Sequence, residues 1–454
     1  MASAQSDSGG APEAEERLTD LVARLRRAGA DAADAVLVES AGLNVVRRLR
    51  QPETLERSES REVGLRVFCG HRQATVATTD LRPAALADLV DRALAMARAA
   101  PEDPFSGLAE EGWLTKETRD LDLLDPAEPA PEALVERAAG AEEAALAVPK
   151  ISNSEGAEAS WSRSTVTLAA SNGFTGCYAA TAHGVSVAVV AKQGEAMERD
   201  YEFAIARHGG ELDPPEKVGR RAGERAARRL GARKVKSAQV PVVYEPRVAG
   251  GLLRHLAGAI AGPAIARGTS FLKDRLESAV FAEEVTVTDD PHRRRGLRSK
   301  PFDGEGVGGT RRDVVARGTL TTWLLDCRSA RQLGLKSTGH AARGPASPPA
   351  PAPTNLYLAA GSPSPEELIA DIRSGLYLTE LIGMGVNLVT GDYSRGAAGF
   401  WIENGELGYP VSEVTVAGKL TDMFTALRPA NDLAFRYGVD APTVRIDGMT
   451  VAGR

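Results

Sequence analysis

Leu86-Ala87-Asp88-Leu89-Val90-Asp91-Arg92-Ala93-Leu94-Ala95-Met96-Ala97 puts Leu86, Leu89, Val90, Ala93, Leu94 and Ala97 on one face of an α-helix, as a turn of 3.6 residues requires. Asp80 stands ahead of it as the expected cap. Upstream, residues 64–68 and 74–77 are strand-like and read as a β-hairpin. Residues 35–38 and 43–49 flank Gly42 and read as another hairpin. Before them, Leu18, Leu21, Val22 and Leu25 repeat at helical spacing, and Gly29 closes that helix. Helix, antiparallel strands and a second helix make an α+β layer.

Downstream, residues 102–131 are rich in Pro, Asp and Leu and read as an extended connector. A helix is expected over 131–147, and strands over 164–169 and 185–191. Asp213, Pro214 and Glu216 form an expected cap for a helix running to Leu230. The basic turn 231–237 marks the expected domain boundary. Beyond it come a buried strand at 240–244 and an Ala/Gly-rich helix at 247–262. Strands are expected at 285–288 and 319–325, and a polyproline segment at 347–353. Ser364, Pro365 and Glu367 form a capping box, and Asn404-Gly405 turns a hairpin. The fold class is therefore α+β, an N-terminal α/β domain followed by a β-rich C-terminal domain with a few helices. Residues 1–16 are expected to be a disordered tail, 17–236 the first domain with its connector, and 237–454 the second.

A chain of 454 residues is too long for one ordinary core, which agrees with two domains. A net charge of −6 excludes a globally basic nucleic-acid binder. Cys69, Cys177 and Cys327 are far apart and odd in number, so a reducing compartment is expected rather than a disulfide framework. The N-terminus lacks the basic and apolar regions of a signal peptide, and no stretch is apolar for the length of a membrane span. These features imply a soluble, cytoplasmic protein.

None of the six histidines stands in HExxH or HExxxH, spacings that place two imidazoles on one helical face toward a metal. Asp289-Asp290-Pro291-His292 carries ligand-type side chains but reads as a strand end with a polar turn. No GxSxG elbow is present, and Cys327 reads as a buried small hydrophobe. Ser337-Thr338-Gly339-His340 gathers hydroxyls and an imidazole that could align a nucleophile or hold a peptide, although a self-bonded polar turn is the favoured reading. The glycine-rich segment 301–309 lacks the Lys-Ser/Thr of a P-loop and reads as a close backbone approach. The basic run 217–236 has no interleaved aromatics and reads as a solvated helix face. In 391–401, Asp392, Tyr393 and Arg395 crowd between small residues. Either they grip an extended peptide, or an Asp–Arg pair staples the β domain.

Several segments carry a resemblance: Met197-Glu198-Arg199-Asp200-Tyr201, Leu333-Gly334-Leu335-Lys336-Ser337-Thr338-Gly339-His340, Thr379-Glu380-Leu381-Ile382-Gly383-Met384-Gly385, the stretch 391–406, and Tyr409-Pro410-Val411-Ser412-Glu413. With them, nearly the whole chain from Leu18 resembles the TldE (PmbA) type of the TldD/PmbA family. The resemblance implies a heterodimer. A TldD-type subunit holds a metal, zinc, through an HExxxH helix and a later cysteine, and cuts unfolded or modified peptides. The TldE-type subunit completes the enclosed cleft, and there extended peptide is expected to add to an exposed strand edge. In this chain the helix matching HExxxH is 251–260, located by Arg267-Gly268-Thr269-Ser270. It has His255 but neither the general-base Glu nor a second His, and no cysteine follows Cys327. The resemblance thus implies no metal or catalytic residue in this chain. Ser337, Thr338, His340, Asp392, Tyr393 and Arg395 are the candidates for touching substrate or partner. Alternatives from other classes are a regulator of DNA-associated proteins, as in modulators of DNA gyrase, and a homodimer repurposed to trim a peptide natural product.

Overall fold

The computed structural model describes residues 10–453. The first half runs α1 (Gly10–Arg27), β1 (Ala32–Arg48), β2 (Gln51–Cys69), β3 (Arg72–Thr78), α2 (Pro83–Ala99), α3 (Pro131–Leu146), β4 (Ile151–Ala170), β5 (Thr175–Gln193), β6 (Ala196–Ala206) and α4 (Pro215–Arg228). The second half begins with β7 (Ala238–Tyr244), α5 (Pro246–Ala259), α6 (Gly262–Ala266), β8 (Val287–Asp290), β9 (Arg312–Ala316), β10 (Thr319–Leu320) and α7 (Cys327–Gln332). It continues through β11 (Ala341–Ala342), β12 (Ala350–Pro351), β13 (Asn355–Leu358), α8 (Pro365–Ile369), β14 (Ser374–Ile382), β15 (Asp392–Glu403) and β16 (Glu406–Lys419). The last elements are α9 (Leu420–Thr425), β17 (Leu427–Pro429), β18 (Val439–Asp440) and β19 (Val444–Ala452). No described helix is long and apolar enough to cross a membrane.

β1–β6 form one antiparallel sheet in the order β3-β2-β1-β4-β5-β6. Alternation puts Ala33, Ala35, Leu37, Val63, Leu65 and Val67 on the face that packs against α1 and α2. Leu43, Val45, Trp161, Val185 and Val187 continue that face under α3 and α4. The expected face of α2 is the buried one. In the second half, β16-β15-β14-β7-β19-β17 form a sheet that closes on itself through β16–β19 pairing. β8, β9, β10, β13 and β18 form another sheet, and α5 packs into the large core between them.

Local chemistry explains where expectation and structure agree and part. Asn404 and Gly405 both take positive φ, 51° and 83°, as a tight hairpin turn requires. The Ser364–Glu367 capping box forms with both of its bonds. Gly42 turns nothing: it lies inside β1, paired with Ser58 on one side and Ser162 on the other. Ladders on both flanks carry the glycine straight through. The strand expected at 319–325 is only Thr319–Leu320. Asp80 and Asp213 do not cap their helices. Asp80 accepts from the Arg82 backbone and guanidinium, and Asp213 pairs with Lys217 and Arg221. Of the expected tail 1–16, residues 1–9 lie outside the described residues, whereas 10–16 are helical. Ala14 is buried in the core there, which holds that first turn in place.

The two halves meet along a seam of buried charge. Asp34 and Arg66 face each other across β1 and β2. Arg66 Nε donates to Asp34 Oδ2 at 2.9 Å and Arg66 Nη1 to Glu305 Oε1 at 3.0 Å. Arg343 Nη1 donates to Asp34 Oδ1 at 2.6 Å. Burial alone raises the Asp34 carboxyl, but Arg343 and Arg66 outweigh it and hold it below the usual carboxylate range. Contact is tight enough that a Cβ on Gly64 would lie 2.0 Å from the Pro345 carbonyl oxygen. Phe302 closes the seam by edge-on contacts with Phe174 and Tyr178.

Removing one member of such a buried network strands the remaining charges. Arg66→Met should therefore lower the unfolding free energy by about 3–5 kcal/mol, read as a reduced urea midpoint. An unchanged midpoint would contradict the account of the seam.

Candidate functional site

Ser337, Thr338 and His340 are inward-looking. Thr338 Oγ1 accepts from the Leu325 amide at 2.7 Å and lies 2.8 Å from His340 Nδ1. His340 Nε2 sits 3.2 Å from the buried Asp289 Oδ1. Asp289 also accepts from the Thr354 amide and hydroxyl. Burial raises the Asp289 carboxyl, but the His340 hydrogen bond leads a set of interactions that bring it below its ordinary value. His340 is itself buried, and Ser337 Oγ reaches only the Leu325 carbonyl and the Gly339 amide. The segment ties β8, the 325 loop and the 352–354 chain together. Gly339 permits this, because a Cβ there would meet the Gly309 Cα at 2.8 Å. The glycine-rich segment is accordingly a close backbone approach, with Asp303 accepting from the Glu305, Val307 and Ala341 amides. The Asp289–His292 segment ends β8 in a polar turn, with the His292 amide bonded to Asp290.

Asp392, Tyr393 and Arg395 lie at the start of β15 and form a separate group. No hydrogen bond or ion pair among the described residues joins it to His340. Tyr393 is buried and meets His255 of α5 edge-on, centroids 6.0 Å apart. Arg395 Nε donates to the Ile382 carbonyl at 3.3 Å, and Asp392 accepts from the Thr390 hydroxyl. Among the described residues the Asp–Arg staple is not formed, and each partner is engaged elsewhere. Burial, followed by the charges of Arg395 and Arg254, pushes His255 down to about 4. The imidazole is therefore neutral at physiological pH.

A trough that sequence reasoning did not assemble runs along the junction of the halves. Clefts of about 520, 420 and 440 Å³ share lining residues, Arg436 and Asp440 between the first two and Ile205 and Leu297 between the second and third. Tyr201 and Phe203 of β6 stack at 6.4 Å, and Phe203 meets Tyr437 at 5.0 Å. β6 is an edge strand, yet the Tyr201 amide is bonded to Asp200 Oδ1, the Phe203 amide to Glu202 Oε1, and the Tyr201 carbonyl to Arg247. Side chains thus blunt the edge against strand pairing. Tyr201 belongs to a segment singled out in the sequence, but Arg254, Arg298 and Tyr437 join it only through the fold.

The basic helix is less solvated than expected. Arg225 pairs with Glu202 and Glu245, and Arg229 with Glu198, Asp200 and Glu380. Arg228 lies over Phe400, and Arg233 over Tyr409. Cys327 is buried, with burial and then Glu305 raising its thiol far above the ordinary value. Among the described residues, no three His, Cys, Asp or Glu side chains are grouped so as to hold a metal ion.

Three models of the PmbA/TldA metallopeptidase match in succession: domain 1 at residues 33–97, the central domain at 124–230 and the C-terminal domain at 237–453. The chain is 40% identical over 426 residues to metalloprotease PmbA of Escherichia coli O157:H7, spanning 93% of each. It is 36% identical over 429 residues to the PmbA homolog of Haemophilus influenzae, spanning 94% of this chain and 93% of the other. A Bacteroides thetaiotaomicron crystal structure described as a candidate modulator of DNA gyrase superposes with a TM-score of 0.89 at 26% identity, covering 97% of this chain and 99% of that one. TldE from Thermococcus kodakarensis superposes at 0.85 with 19% identity, covering 96% and 100%, a likeness of fold alone.

A histidine depressed in the folded state costs stability as pH falls, because the unfolded chain takes up its proton first. For His255 that loss runs from the unfolded value near 6.5 down to about 4. In proton NMR the His255 ring should not titrate above pH ~5. Arg395→Gln should move its midpoint upward. An unshifted midpoint would show that the Arg395 charge does not act on the imidazole.

Proposed function

Because the chain belongs to the PmbA/TldD metallopeptidase family, we propose that it is the metal-free subunit of a two-chain peptidase. Its partner is a TldD-type chain that carries the zinc, and the pair degrades or trims unfolded or modified peptides in the cytoplasm. The observation that carries this reading is the surroundings of His255. The helix that the resemblance matches to HExxxH presents one imidazole, and the charged groups acting on it are Arg395 and Arg254 rather than a carboxylate. Guanidinium groups repel a dication, and one neutral imidazole falls short of the three or four ligands that zinc takes. The residues present do not fit a zinc site.

The hydrolytic chemistry accordingly belongs to the partner. This chain's contribution is to bind and orient peptide. The trough supports that role, with stacked aromatic faces, guanidinium donors and room for an extended segment. Because the β6 edge is blunted at Tyr201 and Phe203, grip there comes from side chains rather than main-chain pairing. Arg395, half-buried beside His255, stands where β15 can touch the peptide or the partner. For the alternative of regulating DNA-associated proteins through the basic run 217–236, the structure leaves less free charge than the sequence suggests, since Arg225 and Arg229 pair with carboxylates.

Mixing the purified chain with the TldD-type chain of the same source should produce cleavage of an unfolded peptide that a chelator abolishes. The chain alone should cleave nothing. Cleavage by the chain alone that survives chelation would overturn the proposal.

A further inference from the structure

One reach of the trough has an unbalanced charge. Its cavity of about 440 Å³ is lined by Arg247, Arg254 and Arg298 together with Tyr201, Phe203 and Tyr437, and no carboxylate lines it. Arg247 is answered by Asp200 at 2.8 Å and lies over the Tyr201 ring. Neither Arg254 nor Arg298 forms an ion pair among the described residues. The Arg298 Nε donates instead to the Pro353 carbonyl. Burial, and then the neighbouring Arg254 charge, hold Arg298 below the ordinary guanidinium value. Arg254 and Arg298 are exposed like charges on the same cavity wall, only distantly offset by Asp289, and their mutual repulsion is relieved by an anion.

We propose that this cavity is a subsite for an acidic side chain, aspartate or glutamate, of an extended peptide. The inference rests on the peptide-gripping reading above and adds the chemical class that is gripped. Arg254 and Arg298 supply charge-assisted hydrogen bonds to the carboxylate, while the aromatic ladder covers the peptide's apolar stem. Because the cavity shares Arg247 and Tyr437 with one neighbouring cleft and Ile205 and Leu297 with the other, a chain passes through it. A side chain, rather than a chain end, therefore meets the arginines. α5 thus puts an arginine, Arg254, into the wall of a peptide trough.

Fluorescence anisotropy on the full chain tests this with labelled, C-terminally amidated unstructured peptides that differ only by glutamate or glutamine at alternate positions. The glutamate peptide should bind about tenfold tighter, the ratio expected for a charged hydrogen bond. Arg254→Gln with Arg298→Gln should erase that preference, bringing the glutamate peptide's Kd to that of the glutamine peptide. Unaltered thermal unfolding would certify that the variant is folded. Arg298→Glu should shift preference toward a lysine peptide. Equal binding of the two peptides by the wild-type chain, or a preference that survives in the double variant, overturns the subsite and leaves the broader reading standing. A neutral peptide with a free C-terminus that binds as tightly as the glutamate peptide overturns the side-chain assignment. If neither peptide binds, the gripping role falls and the subsite with it.

Discussion

Arg66, buried between Asp34 and Glu305, is the interaction on which the arrangement of the two halves depends. It stands on β2 of the first sheet, whereas Glu305 belongs to a loop of the second half. That loop is held by Asp303 and bonded onward to the Cys327 amide. A buried guanidinium tolerates no vacancy among its partners, because desolvation of the remaining charges is uncompensated. Arg343 on Asp34 and the Gly64–Pro345 approach fix the same contact from two other directions. A second charged seam holds β6 to α5 through Asp200–Arg247, and Arg229, at the end of α4, ties the same Asp200 to Glu380 of β14. The trough exists because these two seams hold a sheet edge and a helix at a fixed separation.

Chemistry in that trough follows from what α5 carries. A metal helix needs at least two donors on one face and an anionic or neutral surround. This helix offers one imidazole among guanidiniums, with a tyrosine ring beneath it. The arrangement disfavours a cation and favours an anion, which is the ground for proposing that this helix serves substrate rather than a metal. Under the proposed function, catalysis and grip are divided between two chains.

Much of the fold was legible in the sequence because its elements are locally consistent. The apolar stripe of α2, the Ser364 capping box and the Asn404-Gly405 turn each depend on residues within a few positions of one another. The long strands were not. β1 looks interrupted at Gly42, and only pairing with β2 and β4 on both flanks shows that it is continuous. Asp80 and Asp213 look like caps until nearby cations claim them. At the site, the conserving logic of a polar turn explains Ser337, Thr338 and His340, whose partners Asp289, Leu325 and Thr354 are remote or backbone groups. Tyr393 and Arg395 were legible as a dense segment, but the contact of Tyr393 with His255 and the charge Arg395 sets on that ring were not. Arg254, Arg298 and Tyr437 come from three separate stretches, and no local pattern links them to Tyr201.

Zinc stoichiometry of the isolated chain, loaded with the metal, dialysed and measured by elemental mass spectrometry, tests the division of labour most directly. A cationic surround at His255 and the lack of a second donor lead to an expected value near zero. A value approaching about one zinc per chain would contradict the metal-free assignment and return attention to His255, His292, His340 and Cys327 as ligands.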